Sequence, residues 1–107
     1  MNESSAAIPL FSIIMNVYNG ATYIRAAIDS VLAQTCPDWE LVVWDDCSRD
    51  ESVAICRSYQ DPRIRLFVSE TNVGLGAARN LVISETRGEW VAFLDQDDIW
   101  TADKLTG

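Results

Sequence analysis

The chain has 107 residues, 49% of them hydrophobic, which is enough for one compact domain and too little for two. Its 16 acidic against 8 basic side chains, with no histidine, leave a net charge of -8; a nucleic-acid backbone would be repelled, and any phosphate bound here is expected to arrive with a metal. No run of about 18 apolar residues and no charged-then-apolar leader follows Met1, and Cys36, Cys47 and Cys56 match neither a zinc knuckle nor a redox pair, so reduced thiols in a cytosolic chain are expected.

Residues 1–8 read as a flexible segment ahead of a single domain over 9–107. Phe11 to Met15 is a short apolar run bounded by Pro9 and Asn19-Gly20, which predicts a buried strand. From Ala21 to Thr35, Ile24, Ile28, Val31 and Leu32 fall on one helical face, and Pro37 stops the helix. Glu40 to Trp44 predicts a second strand. Ser48-Arg-Asp-Glu51 has the form of a capping box opening a helix that runs to about Gln60. Asp61-Pro62 marks a turn, Ile64 to Val68 a third strand, and Asn72-Val-Gly74 leads into a helix carrying Leu75, Ala78, Leu81 and Val82, with Gly88 punctuating its end. Glu89 to Asp95 is the fourth strand, followed by an acidic loop and a helix start at Thr101. Such alternation predicts a three-layer α/β sandwich with a mainly parallel sheet, because right-handed crossovers leave few other packings.

Ligands of open parallel sheets bind beyond the carboxyl ends of the strands. Asn16-Val-Tyr18-Asn19-Gly20 follows the first strand, Asp45-Asp46-Cys47-Ser48 the second and Asp95-Gln96-Asp97-Asp98 the fourth. In the strand order 3-2-1-4 of a mononucleotide-binding unit, these ends lie side by side and converge on one cleft. Asp95, Asp97 and Asp98 crowd three carboxylates into four residues, and extended backbone would direct Asp95 and Asp97 to one side. Mg²⁺ or Mn²⁺ takes carboxylate oxygens of that kind, with waters and substrate phosphates completing the shell; a solvated loop capping the next helix is the plainer reading. Asp45 and Asp46 suit a base N–H or a ribose hydroxyl, or else helix capping. With Ser48 expected to cap, at least one of them is free. Tyr18 taken alone is a core-edge residue, although its face could stack on a base. Arg79 is either a surface charge or a partner for phosphate and base. Gly74-Leu-Gly76-Ala-Ala-Arg79 is no dinucleotide fingerprint, since Arg79 stands where a small residue is needed. Trp39, Trp44, Trp90 and Trp100 are expected in the core or at its rim.

Taken together, Phe11-Ser-Ile-Ile-Met-Asn-Val-Tyr-Asn19, Val31-Leu-Ala-Gln-Thr35, Trp44-Asp-Asp-Cys-Ser48, Asn72-Val-Gly-Leu-Gly-Ala-Ala-Arg-Asn80 and Phe93-Leu-Asp-Gln-Asp-Asp98 closely resemble the amino-terminal part of family 2 glycosyltransferases, from about Pro9 to Leu105. The resemblance implies the Rossmann-like GT-A fold and an inverting, metal-dependent transfer from a nucleotide-sugar, usually UDP-linked, to an acceptor hydroxyl. It implies that Tyr18 lies against the base, that Asp46 hydrogen-bonds the base, that Asn16, Asp45 and Arg79 line the same pocket, and that Asp95 sits near ribose and sugar. Asp97 corresponds to the metal-binding carboxylate of the DxD motif, with Asp95 beside it and Mn²⁺ or Mg²⁺ as the ion. Two residues depart from the family's usual pattern, which has Pro in place of Asn16 and Gly in place of Cys47; donor choice is where such changes would be felt. The family's general base comes from a later segment, as does its acceptor site, so this truncated chain is expected to bind nucleotide and to transfer little sugar. A positioned base typically contributes about 10² to 10⁴ in rate.

The implied acceptor is a saccharide, a lipid or a protein, in the cytoplasm or at the cytoplasmic face of a membrane. A sheet edge left bare would favour a homodimer. Two other functions compete with transfer: a non-catalytic nucleotide-binding or assembly domain, and a phosphoacceptor domain of the response-regulator kind. The latter needs an acceptor Asp after the third strand, where Ser69-Glu70 stands instead.

Overall fold

The computed structural model describes residues 9–71, 73–95 and 98–105; the expected flexible segment 1–8 lies outside them, as do Gln96 and Asp97. Along the described residues the elements alternate as β1 (Phe11–Val17), α1 (Ile24–Leu32), β2 (Trp39–Asp46), α2 (Ser52–Arg57), β3 (Ile64–Ser69), α3 (Leu75–Ile83) and β4 (Trp90–Phe93). The strands are all parallel and stand in the order β3-β2-β1-β4, as a mononucleotide-binding unit requires.

β1 and β2 take the centre of the sheet because they are apolar on both faces. Ile13, Met15 and Val17 of β1 and Leu41 and Val43 of β2 pack with Ile24, Ala27, Ile28 and Val31 of α1 and Cys56 of α2. On the other face, Ile14 and Val42 meet Val82 of α3, with Trp44 and Phe67 alongside. The result is the expected three-layer sandwich, α1 and α2 on one side and α3 on the other.

Several boundaries differ from expectation, each for a local reason. Residues 21–23 form a turn rather than the first turn of α1, with Tyr23 N–H donating to Gly20 O at 3.0 Å. Helix α2 opens at Ser52 and ends at Arg57, and Ser48 is no cap: its Oγ accepts from Asn19 N instead, while Asp50 Oδ1 accepts from Ser52 N at 2.9 Å. α3 ends at Ile83, so Gly88 does not terminate it. No helix follows Thr101 among the described residues. There the chain makes turns pinned by Gln34, whose Nε2 donates to Thr101 O at 2.7 Å and whose Oε1 accepts from Leu105 N at 3.1 Å.

At the amino ends of the strands, the buried Glu40 collects the chain around it. Its carboxylate accepts from Ser12 Oγ and from Arg87 N–H, each at 2.6 Å, and pairs with Arg65 Nη1 at 3.0 Å and Arg87 Nε at 3.3 Å. Burial pushes the Glu40 carboxyl up, but the hydrogen bonds from Ser12, Arg87 and Arg65 outweigh it and hold the group below its ordinary value. Gly88 N–H donates to Ser12 Oγ, which closes the α3–β4 connection onto β1.

The β4 edge is bare. Trp90 is 61% exposed, against the expectation that all four tryptophans are core or rim, because β4 has only β1 beside it among the described residues. Trp39 and Trp100 are buried as expected. Among the described residues, no helix is long and apolar enough to cross a membrane.

Candidate functional site

The carboxyl ends of β2, β1 and β4 stand side by side, so Asn16, Tyr18, Asp45, Asp46 and Asp95 gather at one end of the sheet. α3 runs back from that end, which brings Arg79 there too. Pleating divides the group. Asp45 alternates with Asp46, so Asp45 points to the α1–α2 face, where its charge adjoins Cys56, and Asp46 points to the α3 face with Asn16.

Both aspartates are buried, at 1% and 6% exposure, and both accept hydrogen bonds from the chain, while Asp45 Oδ1 has no partner among the described residues. Asp45 Oδ2 accepts from Ser48 N at 2.9 Å, which fixes the turn leaving β2. Asp46 reaches further. Its Oδ1 accepts from Val73 N and its Oδ2 from Gly74 N, each at 3.0 Å, with Trp44 Nε1 at 3.4 Å from Oδ1. Gly74, at φ 85, is the N-cap of α3 and occupies a conformation that favours glycine.

The loops after β1 and β2 are laced together. Asn19 N donates to Ser48 Oγ and Gly20 N to Ser52 Oγ, both at 2.9 Å, and Ala21 N donates to Asp50 Oδ2 at 3.0 Å; in return Arg49 N donates to Asn19 Oδ1 at 2.8 Å. Sequence reasoning missed Asn19, Asp50 and Ser52, although an Asn before Gly and an Asp two residues before a Ser are turn-forming patterns. Cys47 stands in this turn at φ 65, and its thiol donates to Glu70 O at 3.4 Å. Burial, with the nearby Asp45 charge, pushes the Cys56 thiol up to about 12, so it stays protonated and unreactive.

Tyr18 is 46% exposed at the mouth of these loops, not a core-edge residue, because β1 ends at Val17 and releases it to the surface. Arg79 lies with its guanidinium 4.8 Å from the centre of the Phe93 ring. Two buried donors on the α3 side have no partner among the described residues, Asn16 Nδ2 and Arg79 Nε. Asp95 is exposed just beyond β4, and its carboxylate meets no partner among the described residues. Asp98 turns its Oδ1 to Ile99 N. Asp97, the other expected metal ligand, lies outside the described residues, and those residues hold no group of three His, Cys, Asp or Glu side chains that could by themselves bind a metal ion. The chemistry of Asp95, a hard and exposed oxygen donor beside an acidic loop, still fits a divalent cation.

Comparison with known proteins agrees with this fold. Residues 12–107 match the family model for glycosyl transferase family 2. The chain is 46% identical over 96 residues to WfgD of Escherichia coli, a UDP-Glc:alpha-D-GlcNAc-diphosphoundecaprenol beta-1,3-glucosyltransferase, covering 90% of this chain and 38% of that protein. It superposes on Staphylococcus aureus TarS 1-349 in complex with UDP-GlcNAc with a TM-score of 0.81 at 38% identity, covering 90% of this chain and 29% of that one. A mannosyltransferase of Pyrobaculum calidifontis in complex with GDP-Man and Mn²⁺ aligns with a TM-score of 0.80 at 27% identity, over 88% of this chain and 29% of that one. The chain therefore spans about two fifths or less of these relatives.

Proposed function

The chain belongs to glycosyl transferase family 2, and from that premise we propose that its strand ends form the donor site of a metal-dependent, inverting transferase acting on a nucleotide-sugar, UDP-linked, and an acceptor hydroxyl. The observation that carries this reading is the pair of buried, unpartnered donors, Asn16 Nδ2 and Arg79 Nε, at the end of the sheet where ligands of this architecture bind. Buried N–H groups without acceptors are rare, and a ligand oxygen supplies what the chain does not. Asn16, Tyr18, Asp45, Asp46, Arg79 and Asp95 line the donor site, with Tyr18 offering an exposed ring for the base.

Asp95 and Asp97 would hold Mn²⁺ or Mg²⁺, which neutralises a diphosphate leaving group when bound. The chain's own contribution is to place the nucleotide, to align its diphosphate over the carboxylates, and to leave the sugar open to an acceptor. WfgD names a lipid-linked saccharide as acceptor, which supports a saccharide or lipid-linked acceptor here, met in the cytoplasm or at the cytoplasmic face of a membrane. Calorimetric titration of UDP with and without Mn²⁺, repeated on Asp97→Ala, tests the reading. Binding that needs both the ion and Asp97 is the expected result; a folded sample that binds no UDP under either condition would sink it.

A further inference from the structure

The chain that carries Asp95 and Asp98 leaves the core at one point and returns to it at another. Leu94 N–H donates to Ile14 O at 2.9 Å at the end of β4, and Leu94 and Trp100 are both buried in the cluster that α1 covers. Between them Asp98 N–H donates to Asp95 O at 3.0 Å, while Asp95, Asp98 and Ile99 are exposed. Beyond Trp100 the described chain makes only turns, so no helix or strand ladder fixes its place.

That place is fixed from α1. Gln34 is 8% exposed just past the end of the helix and uses its whole amide. Nε2 donates to Ser30 O at 3.2 Å and to Thr101 O at 2.7 Å, and Oε1 accepts from Leu105 N at 3.1 Å. Thr35 N–H adds a bond to Ala102 O at 2.8 Å, and Leu105 packs against the same core cluster. The bond to Ser30 satisfies one of the last carbonyls of α1 and aims the amide at the returning chain. A buried amide is tolerated only with its groups paired, so the arrangement admits one seating of Thr101 and Leu105 where an apolar side chain would admit several.

We propose that Gln34 is a positioning residue for the cation: by clamping Thr101 and Leu105 to the end of α1 it fixes where the chain re-enters the core, and so holds the Asp95–Asp98 turn closed against the mutual repulsion of its carboxylates. The proposal rests on the donor-site reading above, in which Asp95 is a ligand. Gln34 acts from a distance, since α1 has nine residues, about 13 Å of helix, and Gln34 stands at the end far from the loop after β1. A turn already closed loses less freedom when the ion arrives, and the ion is held more tightly for it.

The test follows Mn²⁺ binding through the electron paramagnetic resonance signal of the free ion, with and without UDP, in the unsubstituted chain, Gln34→Met, Gln34→Glu and Asp95→Asn. UDP binding without Mn²⁺ is measured by calorimetry in parallel. Methionine keeps the volume and loses every bond of the amide; glutamate keeps an acceptor for Leu105 and loses both donors, and it covers the case in which the methionine variant fails to fold. Both Gln34 variants are expected to weaken Mn²⁺ about tenfold and to leave metal-free UDP binding as it was, and Asp95→Asn to weaken Mn²⁺ as well. Unchanged Mn²⁺ affinity in the Gln34 variants would overturn the proposal. So would an equal loss of metal-free UDP affinity, which general loosening of the fold would give, or Mn²⁺ binding indifferent to Asp95→Asn. Failure of the unsubstituted protein to bind Mn²⁺ with or without UDP would remove the metal reading of the donor site and this proposal with it, whereas Gln34 variants that bind the ion normally leave that reading standing.

Discussion

Gly88 N–H donates to Ser12 Oγ at 2.7 Å, and the approach is so close that a Cβ on Gly88 would fall 2.5 Å from that oxygen and 2.6 Å from Ser12 N. The obstacle is backbone as well as side chain, so rotation of Ser12 cannot clear it. Gly88→Ala is expected to destabilise the fold by about 2 kcal/mol, the usual scale of overpacking, measured as a lower midpoint in urea unfolding.

Glu40 should make stability depend on pH in one direction. Its carboxyl titrates near 4.5 in the unfolded chain and lower in the folded one. Its contribution is therefore present in full above about 4.5 and disappears as pH falls through the folded value. Glu40→Gln is expected to cost about 2 kcal/mol at neutral pH, and the gap from the unsubstituted protein should narrow in acid. Unfolding curves of both proteins from pH 7 to 3 read the difference.

Cys47 holds a left-handed conformation that costs an ordinary side chain about 1 kcal/mol, and it recovers only a weak thiol hydrogen bond to Glu70 O. Cys47→Gly is expected to raise the melting temperature by a few degrees, about 4 °C or more for a chain of this size. A fall would mean that the thiol contact matters more than the backbone strain.

The bare β4 edge, with Trp90, Val91 and Phe93 all at least 43% exposed, is expected to draw two copies together at high concentration. Sedimentation equilibrium should report self-association that Trp90→Lys weakens. Unchanged association in that variant would place the contact elsewhere.

The architecture was legible because its signals are periodic. β1 and β2 read as apolar runs and α1 as a single stripe, and short crossovers then left few orders for the sheet. The strand-end clusters were legible for the same reason, since each polar group follows a strand. What sequence could not give were bonds between distant segments. Ser48 looked like a helix cap because it stands three residues before Glu51, yet its hydroxyl serves Asn19, a residue 29 positions away. Nor did the sequence around Asp46 show that its carboxylate also receives the N–H of Val73, 27 positions further on. Tyr18 and Trp90 misled in the opposite sense: aromatic character argues for burial, but the end of β1 and the edge of β4 leave both outside.

The lacing of the loops after β1 and β2 bears on how this protein can be varied. Three successive amides, those of Asn19, Gly20 and Ala21, find their acceptors on Ser48, Ser52 and Asp50, and the amide of Arg49 finds its own on Asn19. The two loops are therefore one inheritance unit. A graft that imports either from a relative without its mate strands those amides, so these loops are to be exchanged in matched pairs, not one residue at a time.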